Sequence, residues 1–147
     1  TVPTGFRVPH EYLVEKKKRV GSVTGTLLYK EPAPVRAINL VKQTNAIVPN
    51  LIHSLDAAHM MITVQELHAR GLREFAMVHD GYAVHACDVD LMNTVLREQF
   101  VRVHTEFTLA KFAEQVRQEA PDIAIPDPPA LGMLDLDAVR RSDYFFS

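Results

Sequence analysis

Cysteine is almost absent from this chain of 147 residues: Cys87 stands alone. A single cysteine excludes an internal disulfide framework and a cysteine-based zinc site. Long apolar runs are absent too. No stretch approaches the roughly 20 residues of a membrane span, so no membrane partner is expected. No signal peptide is visible at Thr1. No charge of one sign dominates, since the net charge is −2. The chain as a whole is therefore not a basic nucleic-acid binder. Internal repeats and low-complexity segments are also lacking. What remains is 47% hydrophobic and 23% charged, a globular composition long enough for one ordinary core.

The charge is unevenly spread. Residues 1–45 carry eight Lys/Arg against three Glu, a net of +5, which leaves −7 for the rest. A basic front half can face phosphates while an acidic remainder faces solvent or metal.

The stretch that organises the chain is Phe75-Ala-Met-Val-His-Asp-Gly-Tyr-Ala-Val-His85. Two short apolar runs flank His79-Asp80-Gly81. The pattern predicts a hairpin of Phe75–Val78 and Tyr82–Val84 with its turn at Asp-Gly, where glycine would accept a positive φ. Asp80 would then project from a rigid tip. The plain reading is a turn former; the chemical one is a ligand for Mg²⁺, which prefers hard carboxylate oxygens. His79 is expected on the opposite strand face, toward packing.

Before the hairpin, residues 1–30 read as β. Phe6, Val8, Tyr12 and Val14 alternate with polar residues, and Val23, Leu27, Leu28 and Tyr29 mark a return strand. Gly21, Ser22 and Gly25 offer turn positions. Lys16, Lys17, Lys18 and Arg19 fall on this hairpin, either as solvated edge charges or as a nucleic-acid contact. Residues 31–48 read as a connector broken by Pro32 and Pro34. A helix is expected over Pro49–Arg70, stopped by Gly71, with Ile52, Leu55 and Ile62 inward and Ala57, Met60, Met61 and Val64 beside them. His53 and Asp56 share a neighbouring stripe, and a paired, part-buried His53 is the plain reading.

After the hairpin, Asp88 is a candidate N-cap for a helix presenting Leu91, Val95, Leu96 and Val103. A second helix is expected over Thr108–Glu119, ended by Pro121. Four prolines in 121–129 exclude a helix or central strand there. Leu136–Arg141 is expected to form a helical turn. Tyr144-Phe-Phe-Ser147 is too aromatic for a free tail and is expected to be buried.

Taken in order, Pro49-Asn-Leu-Ile-His-Ser-Leu-Asp-Ala-Ala-His-Met-Met61, His79-Asp80-Gly81, Met92-Asn93, Leu96–Arg102 and Arg141–Ser147 resemble the C-terminal end of single-subunit, bacteriophage-type RNA polymerases, the mitochondrial branch most closely. The resemblance covers nearly the whole chain. It implies an α+β class, the C-terminal part of a right-hand polymerase, with a palm hairpin packed by helices and an N-terminal β-hairpin. It divides the chain into a DNA-contacting hairpin with connector (1–46), palm and fingers helices with the catalytic hairpin (47–120), and a Pro-rich linker with an aromatic end (121–147).

The implied activity is template-directed nucleotidyl transfer from ribonucleoside triphosphates with two Mg²⁺ ions. Asp80 would be the catalytic, metal-binding carboxylate, with the second carboxylate outside this chain, so the active site here is incomplete. His53 and His79 would meet nucleic acid, His53 at the minor groove of the newest base pair, where acceptors look alike in all pairs. Lys16, Lys17, Lys18 and Arg19 would contact promoter DNA. Phe146 and Ser147 would support the active site. Partners implied are the DNA template and promoter, the RNA transcript, ribonucleotides and the remainder of a polymerase chain. The implied location is a mitochondrion or the cytoplasm of a phage-infected bacterium. Gly81 stands where Ser or Cys is more usual, and Ala83-Val84 replaces Trp-Thr. Two alternatives are a non-catalytic remnant of the fold and the palm of a DNA polymerase, which also carries a His-Asp hairpin.

Overall fold

The computed structural model of the chain describes residues 2–32 and 36–145. It is a mixed α/β arrangement with two small antiparallel hairpins and helices. Strand β1 (Glu15–Ser22) pairs with β2 (Gly25–Pro32). Helix α1 (Leu40–Ala69) follows, then β3 (Phe75–Val78) paired with β4 (Gly81–Val84). Helices α2 (Val89–Glu106) and α3 (Leu109–Glu119) come next, and a 3-10 turn covers Leu136–Arg141. The chain forms two compact units: residues 9–52, and residues 53–145 with the segment 2–8.

In the first unit the hairpin is narrower than the alternation predicts. Its strands begin at Glu15, and residues 6–12 are not strand. Pro9 contributes no amide hydrogen, and the backbone of Tyr12 finds other partners. Its N–H donates to Gln43 Oε1 at 3.0 Å and its carbonyl accepts from Asn39 N–H at 2.8 Å. Asn50 Nδ2 donates to the Tyr12 hydroxyl at 2.9 Å. The tip is Val23-Thr24, between the paired Ser22 and Gly25, rather than Gly21-Ser22. Gly25 has a φ of +149°, a conformation that suits glycine.

Helix α1 starts nine residues before Pro49. Asn39 caps it: its Oδ1 accepts from Lys42 N–H at 3.0 Å and its carbonyl from Gln43 N–H at 2.9 Å. Pro49 therefore lies inside the helix, where it removes the bond that the Asn45 carbonyl would otherwise accept. The stop at Gly71 is as expected. Gly71 has a φ of +101°, its N–H reaches the His68 carbonyl, and Leu72 N–H reaches the Leu67 carbonyl, both at 3.1 Å. This pair of bonds is the Schellman arrangement.

The second unit is built on Leu67 of α1, Leu72 and Val95 of α2. Phe75, Met77 and Val84 from the β3–β4 hairpin pack on it, with Leu91 and Met92. Each full side-chain burial stabilises by about 1.5–3 kcal/mol. The buried stripe of α1 is Ala58, His59, Thr63 and Leu67, shifted from the expected one. Ile52 and Met61 are exposed, while Leu55, Ile62 and Val64 sit at the edge of the stripe. On α2, Val95, Leu96 and Val103 are buried as the pattern predicts, and Asp88 precedes the helix without a side-chain cap bond. Thr108 does cap α3, its Oγ1 accepting from Lys111 N–H. The four-proline stretch is irregular.

Candidate active site

The β3–β4 hairpin turns on His79 and Asp80, because Val78 pairs directly with Gly81. This corrects the Asp-Gly turn read from the sequence. The positive φ, 55°, falls on His79, and Gly81 is the first residue of β4. Glycine is favoured at 81 for another reason. A Cβ there would meet the Val78 carbonyl oxygen at 3.1 Å, tighter than ordinary contact. The two-residue turn leaves Asp80 exposed at the tip. It also takes His79 out of strand alternation, so both side chains line one cavity instead of opposite faces.

That cavity, about 760 Å³, is lined by His53, Asp56, Ala57, His59 and Met60 of α1, His79, Asp80 and Tyr82 of the hairpin, and Phe100 of α2. Three residues expected at the site, Asp80, His53 and His79, are thus brought together. Lys16, Lys17, Lys18 and Arg19 lie on β1 in the other compact unit. The expectations for Phe146 and Ser147 fall outside the described residues. Of the aromatic end, Tyr144 is 89% exposed, contrary to expectation. Phe145 is half-buried, its ring edge-on to Phe100 at 5.0 Å.

Several lining residues lie in the quoted stretches but carry no site role in the sequence reading. His59 is buried at 5% exposure, its Nε2 2.9 Å from the Leu96 carbonyl and its Nδ1 3.4 Å from the Tyr82 hydroxyl. A neutral ring satisfies both: Nε2–H donates to the carbonyl, and Nδ1 accepts from the phenol. Burial holds its pKa below the ordinary histidine value, against the opposing pull of the Leu96 carbonyl. Tyr82 is pushed up to about 12, by burial first and then by the charges of Asp56 and Asp80. It stays a neutral donor at physiological pH, and its shift shows that both carboxylates act on the same ring. Phe100 stacks near His59 and near His104, whose pKa burial also lowers. Asp56 is exposed on the cavity wall and, among the described residues, makes no ion pair or hydrogen bond with His53, so the paired-histidine reading does not hold.

Asp80 and Asp56 offer hard oxygens. Among the described residues, no group of three His, Cys, Asp or Glu could hold a metal ion. The donor set suits one or two ligands to a divalent ion and no complete shell.

A family model described as DNA-dependent RNA polymerase matches residues 1–123. The chain belongs to the phage-type DNA-dependent RNA polymerase family. It is 40% identical over its whole length to the mitochondrial DNA-directed RNA polymerase 1 of Arabidopsis thaliana, of which it covers 15%. It is 39% identical, over 99% of its length, to the mitochondrial DNA-directed RNA polymerase of Homo sapiens, covering 13%. A chloroplastic/mitochondrial DNA-directed RNA polymerase 2 of Arabidopsis thaliana is 37% identical, with 14% covered. The chain thus spans about a seventh of these relatives' length, within their C-terminal portion. The family is one of transcription, and these relatives are named for mitochondria and chloroplasts.

Proposed function

We propose that this chain is the C-terminal catalytic part of a DNA-directed RNA polymerase, a palm hairpin with its supporting helices. The observation that carries the reading is the convergence of Asp80, His53 and His79 on one cavity. A divalent ion held partly by Asp80 would supply positive charge to the reacting oxygens. Asp80 contributes the anchoring charge, and the short turn fixes where it sits. His79 shares the cavity with it. His53 offers a ring N–H to the minor-groove edge of a bound pair. The Tyr82 hydroxyl stays protonated and holds the turn to His59. Phe146 and Ser147 remain proposed as support, favoured by the seat of Phe145 on Phe100. The partners are template and promoter DNA, transcript and ribonucleotides, and the location is the mitochondrion, as the names of the relatives suggest.

The deciding experiment is Asp80→Asn in the complete polymerase. The substitution keeps size and turn propensity but removes the charge. Incorporation should fall at least about a hundredfold, the lower range for losing one electrostatic stabiliser. Template affinity and melting temperature should barely move. Near-normal incorporation would sink the assignment.

A further inference from the structure

Among the described residues, the segment after α3 has no strand or long helix to hold it, and its last part packs on α2, where Arg97 makes the polar ties. Arg97 donates from Nη1 to two backbone carbonyls, Val139 at 2.7 Å and Ser142 at 2.5 Å. Its Nε donates to Asn93 Oδ1 at 2.7 Å, one turn earlier on α2, which fixes the plane of the guanidinium. Its Cζ lies 5.4 Å from the centre of the Phe145 ring. Phe145 then meets Phe100 edge-on, and Phe100 is a wall of the cavity that contains Asp80 and His53.

We infer that Arg97 is a positioning residue for the Asp80 cavity: it clamps residues 139–145 onto α2 so that Phe145 sets the Phe100 wall. The contacts form a continuous path. Arg97 binds the chain before the aromatic residue at two carbonyls and the aromatic residue itself by its face. Phe145 buttresses Phe100 from outside, and Phe100 stands 5.7 Å from the His59 ring inside. The work requires a planar fork with several fixed donors and a flat cation surface. A lysine ammonium is a compact point charge and cannot hold two carbonyls, an amide oxygen and a ring together. The ion pairs of the segment 135–141, Arg140 with Asp137 and Arg141 with Asp135, are local and do not reach α2. Three of the five N–H donors of Arg97, the one on Nε and the two on Nη1, are committed within the chain.

The inference rests on the polymerase reading only for its activity readout. The test uses the complete polymerase carrying Arg97→Ala, Arg97→Lys, Phe145→Ala, or Arg97→Ala with Phe145→Ala. Limited chymotrypsin digestion should trim the chain at Tyr144 faster in both Arg97 variants than in the parent. Turnover should fall between about tenfold and about a hundredfold, the range for a small misplacement in a reacting site, with template affinity unchanged. Arg97→Lys should resemble Arg97→Ala, and the double variant should lose no more than the worse single one, because both act through one contact. An unchanged trimming rate would overturn the clamp. Normal turnover in Arg97→Ala, or losses that multiply in the double variant, would overturn the link to the cavity. If Arg97→Ala melts early, Arg97→Lys carries the comparison. Asp80→Asn remaining active would instead overturn the polymerase reading, and the trimming result would stand on its own.

Discussion

At the scale of single residues, the site depends on how few atoms decide a role. His53 and His59 stand six apart on one helix. His59 is buried and spends both ring nitrogens inside the fold, whereas His53 is exposed on the cavity wall. Of the two, His53 is the one able to approach a substrate. Replacing it by Ala in the complete polymerase should raise misincorporation while leaving the melting temperature close to the parent's, since an exposed side chain contributes little to stability. Lower thermal stability with unchanged fidelity would return His53 to a structural part. The sequence shows both histidines but not this difference. Periodicity places a residue on a face, and burial depends on what the rest of the chain brings to that face. Leu96 and Tyr82, the partners of His59, are 37 and 23 residues away.

At the scale of elements, the basic β1–β2 hairpin divides its own charge. Strand alternation puts Lys16 and Lys18 on one face and Lys17 and Arg19 on the other. Lys18 is engaged with Glu31 at 3.3 Å and lies 6.0 Å from the Tyr29 ring centre. Among the described residues Lys16, Lys17 and Arg19 form no ion pair, and Lys17 stands opposite Lys30. The face carrying Lys17 and Arg19 is therefore the one we propose meets phosphates. Neutralising both in the complete polymerase should flatten the dependence of log affinity on log salt by about 0.9 for each phosphate no longer neutralised. Lys18→Ala should leave the slope near the parent's. Equal effects from all three positions would reject the division of faces. Much at this scale is legible in the sequence: the Asp80 hairpin, the start of α2, nearly all of α3, the stop at Gly71. The errors have physical reasons. Pro49 resembles a helix start, yet Asn39 supplies a better cap, and the helix tolerates one missing hydrogen bond. Residues 6–12 alternate like a strand, but side chains of α1 take the backbone groups that a partner strand would have paired. Gly81 marks the turn for reasons of space, not of φ.

At the scale of the whole molecule, His59 is both a wall of the Asp80 cavity and a buried group of its unit, so the cavity and the fold respond to pH together. His59 and His104 are both held below the ordinary histidine pKa, each by burial first. The charge of Asp56 pulls both the other way, and His104 lowers His59 further. The unfolded chain therefore takes up protons at a higher pH than the folded one. Stability is complete above the unfolded value of about 6.5 and falls as pH drops below it toward the folded values. The slope can reach about 1.4 kcal/mol per pH unit for each proton taken up. Glu15, lowered chiefly by Lys30, acts in the same direction but only below the ordinary carboxylate range, so it does not enter this window. Protonated His59 can no longer accept from the Tyr82 hydroxyl, so the hydrogen bond between α1 and the Asp80 hairpin is lost with the proton's uptake. Urea midpoints of the chain should be flat between about pH 8 and about pH 7 and fall between about pH 6.5 and about pH 5. His59→Asn, which keeps a neutral polar group without the titration, should flatten part of that fall. A midpoint that stays constant down to about pH 5 would show that neither histidine is kept neutral by the fold.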